Sequence, residues 1–265
     1  MIETLLAKVK ASDIIPEPFP HLVIKDPLDK VLCERLITEM PSLDVLTEKE
    51  KYISNQRFSY SAVKGIDNAR ISPLWRKWVA LHTSQLFLDQ IVALFGEQIL
   101  ANYPQFESEV GPLNALRAGI RKKNNFQQSE VLLDAQICVN TPVVGKPTSV
   151  RRGHVDLPDK LFAGLYYLRP DTDDSRGGDF EIYRFKDQDY QFKGQFIDDS
   201  YIETVKIIPY EKNVFVFFLN TDHSLHGVTV RSVTKHPRFF LNLVGEVRKP
   251  LFTLKSDEQT VHADY

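Results

Sequence analysis

The 265-residue chain predicts an α+β fold, with helices first and a jelly roll of short strands second. Three observations carry this. Apolar residues in the first 130 positions recur at helical spacing. After about residue 131 the runs become short, β-branched and aromatic, with turn residues between them. Gly177-Gly178, preceded by the polar stretch Asp171–Arg176, marks a tight turn leading into one of those runs.

Asp26-Pro27 opens a segment in which Leu28, Val31, Leu32, Leu36, Ile37 and Met40 fall on one helical face, stopped before Pro41. Residues 44–71 are polar and mixed, and no element is assigned there. Ser72-Pro73 is a capping serine followed by proline at the first helical position. The apolar pattern then runs through Leu74, Trp78, Leu81, Leu88, Val92 and Phe95, with Gly96 as the expected stop. Strands are expected near 135–140, 161–169, 178–185, 202–208, 213–219, 225–230 and 238–247. Residues 1–130 should form a mainly helical region packed on one face of a core spanning 131–250, with 251–265 as a tail. Neither internal repeats nor low-complexity segments are evident.

Hydrophobic residues make up 43% and charged residues 26%, the composition of an ordinary globular protein. A formal net charge of −2 offers no electrostatic reason to expect nucleic acid or an anionic membrane as partner. Cys33 and Cys138, far apart, argue against a disulfide scaffold and a zinc ribbon. The first twenty residues lack the apolar region of a signal peptide, and no run approaches the ~18 apolar residues of a membrane span. The expected compartment is the reducing cytoplasm.

The chemistry points to His154-Val155-Asp156. On a strand, residues two apart project from the same face, so one ion can touch both side chains. His226 follows 72 residues later and Arg238 a further 12. Two imidazoles and a carboxylate cover one face of an Fe(II) ion and leave the other open to an organic acid and dioxygen. Arg238, at the head of RFFLNLVGEV, is suited to a two-pronged grip on the acid's far carboxylate. Phe240 and Asn242 share its face of the strand. Taken singly, these residues have ordinary structural readings: a chance His-x-Asp, a surface histidine, an edge arginine. Their order along the strands is what favours a site. His223 competes with His226 for the third ligand position, and Lys235 with Arg238 for the anchor; the strand-like Gly-Val-Thr-Val after His226 favours His226, and the turn around Lys235 favours Arg238.

The segments GHVD (153–156), GLYYL (164–168), GGDF (177–180), HGV (226–228) and RFFLNL (238–243) resemble, in order, those of the Fe(II)- and 2-oxoglutarate-dependent dioxygenases, in their prolyl-hydroxylase-like branch. PFPHLVIKDPLD (18–29) also resembles the opening segment of bacterial members. The resemblance implies a double-stranded β-helix and a hydroxylase that consumes 2-oxoglutarate and O2, releasing succinate and CO2, with ascorbate as a reductant. It implies iron held by His154, Asp156 and His226, and the distal carboxylate of 2-oxoglutarate held by Arg238. Tyr167 would hydrogen-bond the same carboxylate, or else be a core aromatic; Asn242 would lie near the iron. A tyrosine that some prolyl hydroxylases carry before the His-x-Asp strand is not evident, and Gln136 or Asn140 could substitute for it. The loop 142–152 is expected to shape the cavity mouth. Asp156 favours hydroxylation over halogenation, with desaturation and ring closure left open.

A small metabolite or a peptidyl residue is the expected substrate. Arg117, Arg121, Lys122 and Lys123 form either a lid for an acidic substrate or a solvated loop, and Arg151 or Arg152 could touch substrate. The rival readings are a non-catalytic cupin-like binding module and a zinc hydrolase. Arg238 argues against the second, because hydrolysis needs no carboxylate clamp. Oligomeric state is not readable from the sequence.

Overall fold

The computed structural model describes residues 2–186 and 194–254. Along the chain the strands are β1 (His21–Lys25), β2 (Arg57–Tyr60), β3 (Ala118–Ile120), β4 (Val131–Asn140), β5 (Lys160–Tyr167), β6 (Phe180–Phe185), β7 (Ile202–Ile208), β8 (Val214–Leu219), β9 (His226–Val228) and β10 (Arg238–Val247). The α-helices are α1 (Lys30–Thr38), α2 (Leu43–Leu46), α3 (Ala62–Asp67), α4 (Pro73–Leu81), α5 (Gln85–Asn102) and α6 (Phe106–Glu109). A seven-stranded sheet runs β1-β8-β5-β10-β4-β2, with β3 added parallel to β4; a three-stranded sheet runs β7-β6-β9.

The period-2 pattern of the strands separates two cores. On β4, Val131, Leu133, Ala135, Ile137 and Val139 join the helices in one apolar cluster, while Cys138 turns to the other face. Helices α4 and α5 cover that outer face: Trp78 meets Tyr166 edge-on at 5.5 Å and Phe95 meets Phe217 at 5.2 Å. The second cluster lies between the two sheets and draws Tyr167, Val216, Phe218 and Phe240 from one, Phe180, Ile182 and Ile208 from the other. The mixed helix-and-sheet architecture thus matches the sequence expectation. No single helix among the described residues is long and apolar enough to cross a membrane.

Several elements differ from expectation. Helix α1 starts after Asp29, whose carboxylate accepts the Leu32 N–H at 2.9 Å, rather than at Asp26-Pro27. The helix expected from Pro73 to Phe95 is two helices. Thr83 and Ser84 return their hydroxyls to carbonyls of α4, and Ser84 caps α5 by accepting from Phe87 N–H. Gly96 does not end α5; a Cβ there would meet Leu113 Cδ1 at 3.3 Å, so the small residue serves close packing instead. The unassigned stretch 44–71 contains β2 and α3, and strands β1, β2 and β3 of the first 130 residues complete the large sheet. His154 and Asp156 do not sit on a regular strand. Pro158 brings no N–H to a ladder and restricts Leu157, so the segment is held by isolated bridges from His154 to Phe196 and His226. Within the expected tail, residues 255–265 lie outside the described residues.

Candidate metal centre

The first residue of β9 is His226, and it pairs backbone to backbone with His154, each N–H donating to the other's carbonyl at 3.0 Å. This brings the two rings to 4.2 Å between centroids. Asp156 follows two residues on, with Oδ1 3.9 Å from His154 Nε2. Ligand atoms of His154, Asp156 and His226 all lie within 4.8 Å of one another, and the three side chains are buried. Each imidazole is oriented the same way. His154 Nδ1 lies 2.8 Å from the Arg152 carbonyl and His226 Nδ1 2.8 Å from the Ser224 carbonyl. A carbonyl only accepts, so both rings carry the proton on Nδ1 and present a lone pair at Nε2. His154 Nε2 is buried and has no hydrogen-bond partner.

The protonation states suit a cation. Burial, then the neighbouring His226 and Arg151, hold His154 well below the usual imidazole range. Burial brings His226 down to about 4, against an opposing pull from Asp156. Burial alone would raise Asp156; Lys160, His226, Arg151 and His154 outweigh it and hold the carboxyl well below the usual range. Lys160 Nζ donates to Asp156 Oδ1 at 3.1 Å and Arg151 Nη1 stands 3.7 Å away. Two neutral imidazoles and one ionised carboxylate are the ligand forms a divalent metal requires.

Arg238 opens β10 and is 2% exposed. It has no ion-pair partner among the described residues. Its Nη1 donates to Asn140 Oδ1 at 3.2 Å, across the β4–β10 register that sets these two residues opposite each other. Its Nε and Nη2 are buried without acceptors, as are Tyr167 Oη and Asn140 Nδ2. The guanidinium lies 4.9 Å from the ring centres of Tyr167 and Tyr210 and 4.8 Å from that of Phe240. Burial pushes both tyrosines up to about 12, so neither supplies the missing anion. A guanidinium removed from water without a counter-charge costs several kcal/mol. The cage therefore fits a carboxylate that would take Arg238 Nε and Nη2, with Tyr167 and Asn140 as further donors. Gly178 allows this packing: at φ +79°, it stands where a Cβ would meet Arg238 Cδ at 3.2 Å.

Gln136 and Asn242 form a separate polar row. Asn242 Nδ2 donates to Gln136 Oε1 at 2.9 Å, and Gln136 Nε2 donates to Asp134 at 3.0 Å. The opposed pair Cys138 and Phe240 lies between this row and Arg238–Asn140. The competing residues stay away: His223 is exposed and paired to Asp222 at 2.8 Å, and Lys235 is exposed. In the basic loop, Arg117 is paired with Glu130 at 2.7 Å and Arg121 with Glu246 at 2.7 Å. Ser149–Arg152, from the loop expected at the cavity mouth, line a cleft of about 520 Å³ with Gly153 and Phe196–Asp199. The sequence reading missed Tyr210, Lys160 and Arg231. Tyr210 follows a proline outside any motif. Lys160 is four residues beyond Asp156, a spacing without meaning on an irregular segment. Arg231, 1% exposed, packs beside Arg238 over Gly178 and donates to the Thr141 and His236 carbonyls.

Neither a family model nor a curated protein matches this sequence. Solved structures do match. A prolyl 4-hydroxylase of Phytophthora capsici aligns at 17% identity with a TM-score of 0.50, over 92% of this chain and 64% of that one. A prolyl-4-hydroxylase of Pseudomonas putida aligns at 12% identity and a TM-score of 0.45, over 86% and 92% of the two chains. The non-haem alpha-ketoglutarate-dependent epimerase of nogalamycin biosynthesis aligns at 13% and 0.45, over 86% and 76%. At such identities the likeness concerns backbone shape, and the Phytophthora match carries it. The chain thus shares the fold of the Phytophthora prolyl 4-hydroxylase, and on that fold it carries a buried two-histidine, one-carboxylate cluster.

Proposed function

We propose that this protein is an Fe(II)- and 2-oxoglutarate-dependent dioxygenase that hydroxylates a C–H bond of a small metabolite or peptidyl residue. The two sheets are then the walls of a double-stranded β-helix, with 131–250 as the oxygenase core and 1–130 as the region packed on it. The observation that carries the proposal is Arg238: a buried guanidinium with two unclaimed N–H groups and no acid partner among the described residues. The neighbouring buried Arg231 spends its terminal N–H groups on the Thr141 and His236 carbonyls, as a structural arginine does, whereas Arg238 keeps two N–H groups open for a carboxylate.

His154, Asp156 and His226 would hold the metal through their Nε2 and carboxylate oxygens. The carbonyls of Arg152 and Ser224 keep the imidazoles aimed, and Lys160 holds Asp156 ionised and in place. Arg238, with Asn140 and Tyr167, would bind the distal carboxylate of 2-oxoglutarate, while Tyr210 and Phe240 exclude water from that contact. Bound iron with 2-oxoglutarate and O2 supplies the oxidising power, converting the co-substrate to succinate and CO2 as oxygen is inserted in the substrate. Anaerobic titration of the protein with Fe(II) and 2-oxoglutarate tests this: a weak visible charge-transfer band should form, and His154→Ala or Asp156→Ala should abolish it. A wild-type protein that binds Fe(II) yet gives no band with 2-oxoglutarate would defeat the proposal.

A further inference from the structure

Midway along the inner face of the large sheet, one register row is open to solvent. Asn242 stands opposite Gln136 on β4 and Leu165 on β5. Gln136 is half-buried, and Asn242 and Leu165 are each 8% exposed; Cys138 and Phe240, the next opposed pair on this face, are 0% and 1% exposed. All three strands have neighbours on both sides, so this exposure is to the space between the sheets. The row lies between the two halves of the site. Two residues along β10 in one direction is Val244, whose row continues through Ala163 to Phe218, and the Phe218 ring is 4.6 Å from that of His226. Two residues in the other direction is Phe240, whose ring centre is 4.8 Å from the Arg238 guanidinium. Each step is about 7 Å. Between metal centre and co-substrate anchor, the cavity floor therefore carries a pair of carboxamides.

The direction in which those amides face is set from one end. Asp134, 1% exposed, accepts the Ala62 N–H at Oδ1 (2.7 Å) and Gln136 Nε2 at Oδ2 (3.0 Å). Burial raises this carboxyl, against the Ala62 N–H, Gln136 and Arg121, whose Nη1 is 3.9 Å from Oδ2. Its neighbours other than Gln136 are thus donors, and the carboxylate is the accepting end of a chain. Gln136 must then turn Oε1 towards Asn242, which donates from Nδ2 to that oxygen at 2.9 Å. What remains at the far end is Asn242 Oδ1. It has no partner among the described residues and, unlike the unpaired donors of Arg238, is not sealed from the cavity. The dianion of a 2-oxo acid carries acceptors only and cannot satisfy it. Lys160 and Arg151, both beside Asp156, disfavour a cation there. Resting on the reading under Proposed function, we infer that the substrate bears an uncharged hydrogen-bond donor that Asn242 Oδ1 accepts at the cavity floor. Gln136 and Asp134 are positioning residues that fix which atom of the Asn242 amide faces the cavity.

This polarity can be reversed by one atom. Asp134→Asn keeps an oxygen for the Ala62 N–H and sets an NH2 group against Gln136; both amides then turn over, and Asn242 shows Nδ2 to the cavity. Pyrrole, with one N–H donor, and tetrahydrofuran, a ring of like size with one acceptor and no donor, are the probes. Their binding to the full metal-free chain is read by saturation-transfer NMR. Their effect on protein loaded anaerobically with Fe(II) and 2-oxoglutarate is read by the visible band. The ratio of pyrrole to tetrahydrofuran affinity should fall at least about threefold in Asn242→Leu, the loss of one neutral hydrogen bond, and further in Asp134→Asn, where tetrahydrofuran gains. A merely structural role for Asp134 would lower both affinities together. An unmoved ratio in either folded variant, or no saturable binding of pyrrole to the wild type, overturns the inference; if the band still forms, the oxygenase reading stands. Absence of the band defeats the oxygenase reading, and the NMR ratios still decide the polarity of Asn242. Should Asp134→Asn fail to fold, Asn242→Leu carries the decision.

Discussion

The imidazoles of His154 and His226 are joined through their backbones: one antiparallel bridge, with both N–H···O distances 3.0 Å, sets two residues 72 positions apart side by side. Their alignment therefore does not depend on either ring. Replacing His154 by glutamine should keep the bridge and the metal-free fold, with unfolding free energy within about 1 kcal/mol of wild type. It should still lower Fe(II) affinity more than about 100-fold, since loss of an orienting group outside the ligand shell alone costs up to that much. Urea denaturation and chelator competition measure the two quantities. Retained Fe(II) affinity would remove His154 from the ligand set.

Arg238 presents a trade of stability against binding. In the free protein its Nε and Nη2 are desolvated and unpaired. Methionine has a similar length and no donors. Arg238→Met should thus raise the stability of the co-substrate-free protein by about 1 kcal/mol, allowing for the lost bond to Asn140. It should weaken 2-oxoglutarate binding by roughly 2–5 kcal/mol, the cost of truncating one partner of a buried charge pair. Calorimetric binding and denaturant titration check both signs. A variant less stable by several kcal/mol, with unchanged co-substrate affinity, would make Arg238 structural.

These pairs also mark what could be read without coordinates. The alternation of RFFLNL placed Arg238, Phe240 and Asn242 on one face, because strand geometry needs only local sequence; the register then sets Asn140 opposite Arg238. The strands after residue 131 were legible for the same reason. What was not legible depends on chain segments meeting across the sheets. Arg57 belongs to a stretch with no clear periodicity, yet its strand pairs with β4 and brings it to Phe240. Tyr210 meets Arg238 from the connection between β7 and β8. The break between α4 and α5 was hidden because His82, Thr83 and Ser84 interrupt the backbone pattern without interrupting the apolar one. Gln136 and Asn242 were placed on the right strands, but their hydrogen bond to each other could only be seen in the folded chain.

Gly178 links the turn to the anchor. Its φ of +79° lies in the left-handed region, and an added Cβ would press on Arg238 Cδ at 3.2 Å, Arg238 Nε at 3.3 Å and Arg231 Cδ at 3.4 Å. Gly178→Ala should cost about 1–2 kcal/mol of stability from backbone strain. It should also raise the 2-oxoglutarate dissociation constant while leaving Fe(II) affinity near wild type, because the displaced group is the guanidinium and the metal ligands lie on other segments. Metal and co-substrate titrations of one variant separate these effects. Equal losses in both would show a general collapse of the site.

Acid sensitivity follows from the buried histidines. His82 donates from Nδ1 to the Trp78 carbonyl at 2.8 Å and accepts the Leu5 N–H at Nε2 at 3.0 Å, so both nitrogens are committed as the neutral ring. Burial lowers His82 and His226 each to about 4. An unfolded chain titrates its histidines near about 6.5. Between these values the unfolded state binds protons that the native state refuses, so stability falls as pH drops from about 6.5 towards 4. The slope is about 1.4 kcal/mol per pH unit for each such histidine. Fe(II) affinity has a different profile. The metal competes with protons only on the native rings, so affinity should hold level down to about pH 5 and fall below it. Denaturant titrations of metal-free protein from pH 7 to 5, alongside Fe(II) binding over the same range, measure both curves. A drop in metal affinity centred near pH 6.5 would mean that His226 is solvated, contrary to its place behind Phe180 and Phe218 at 5.4 and 4.6 Å.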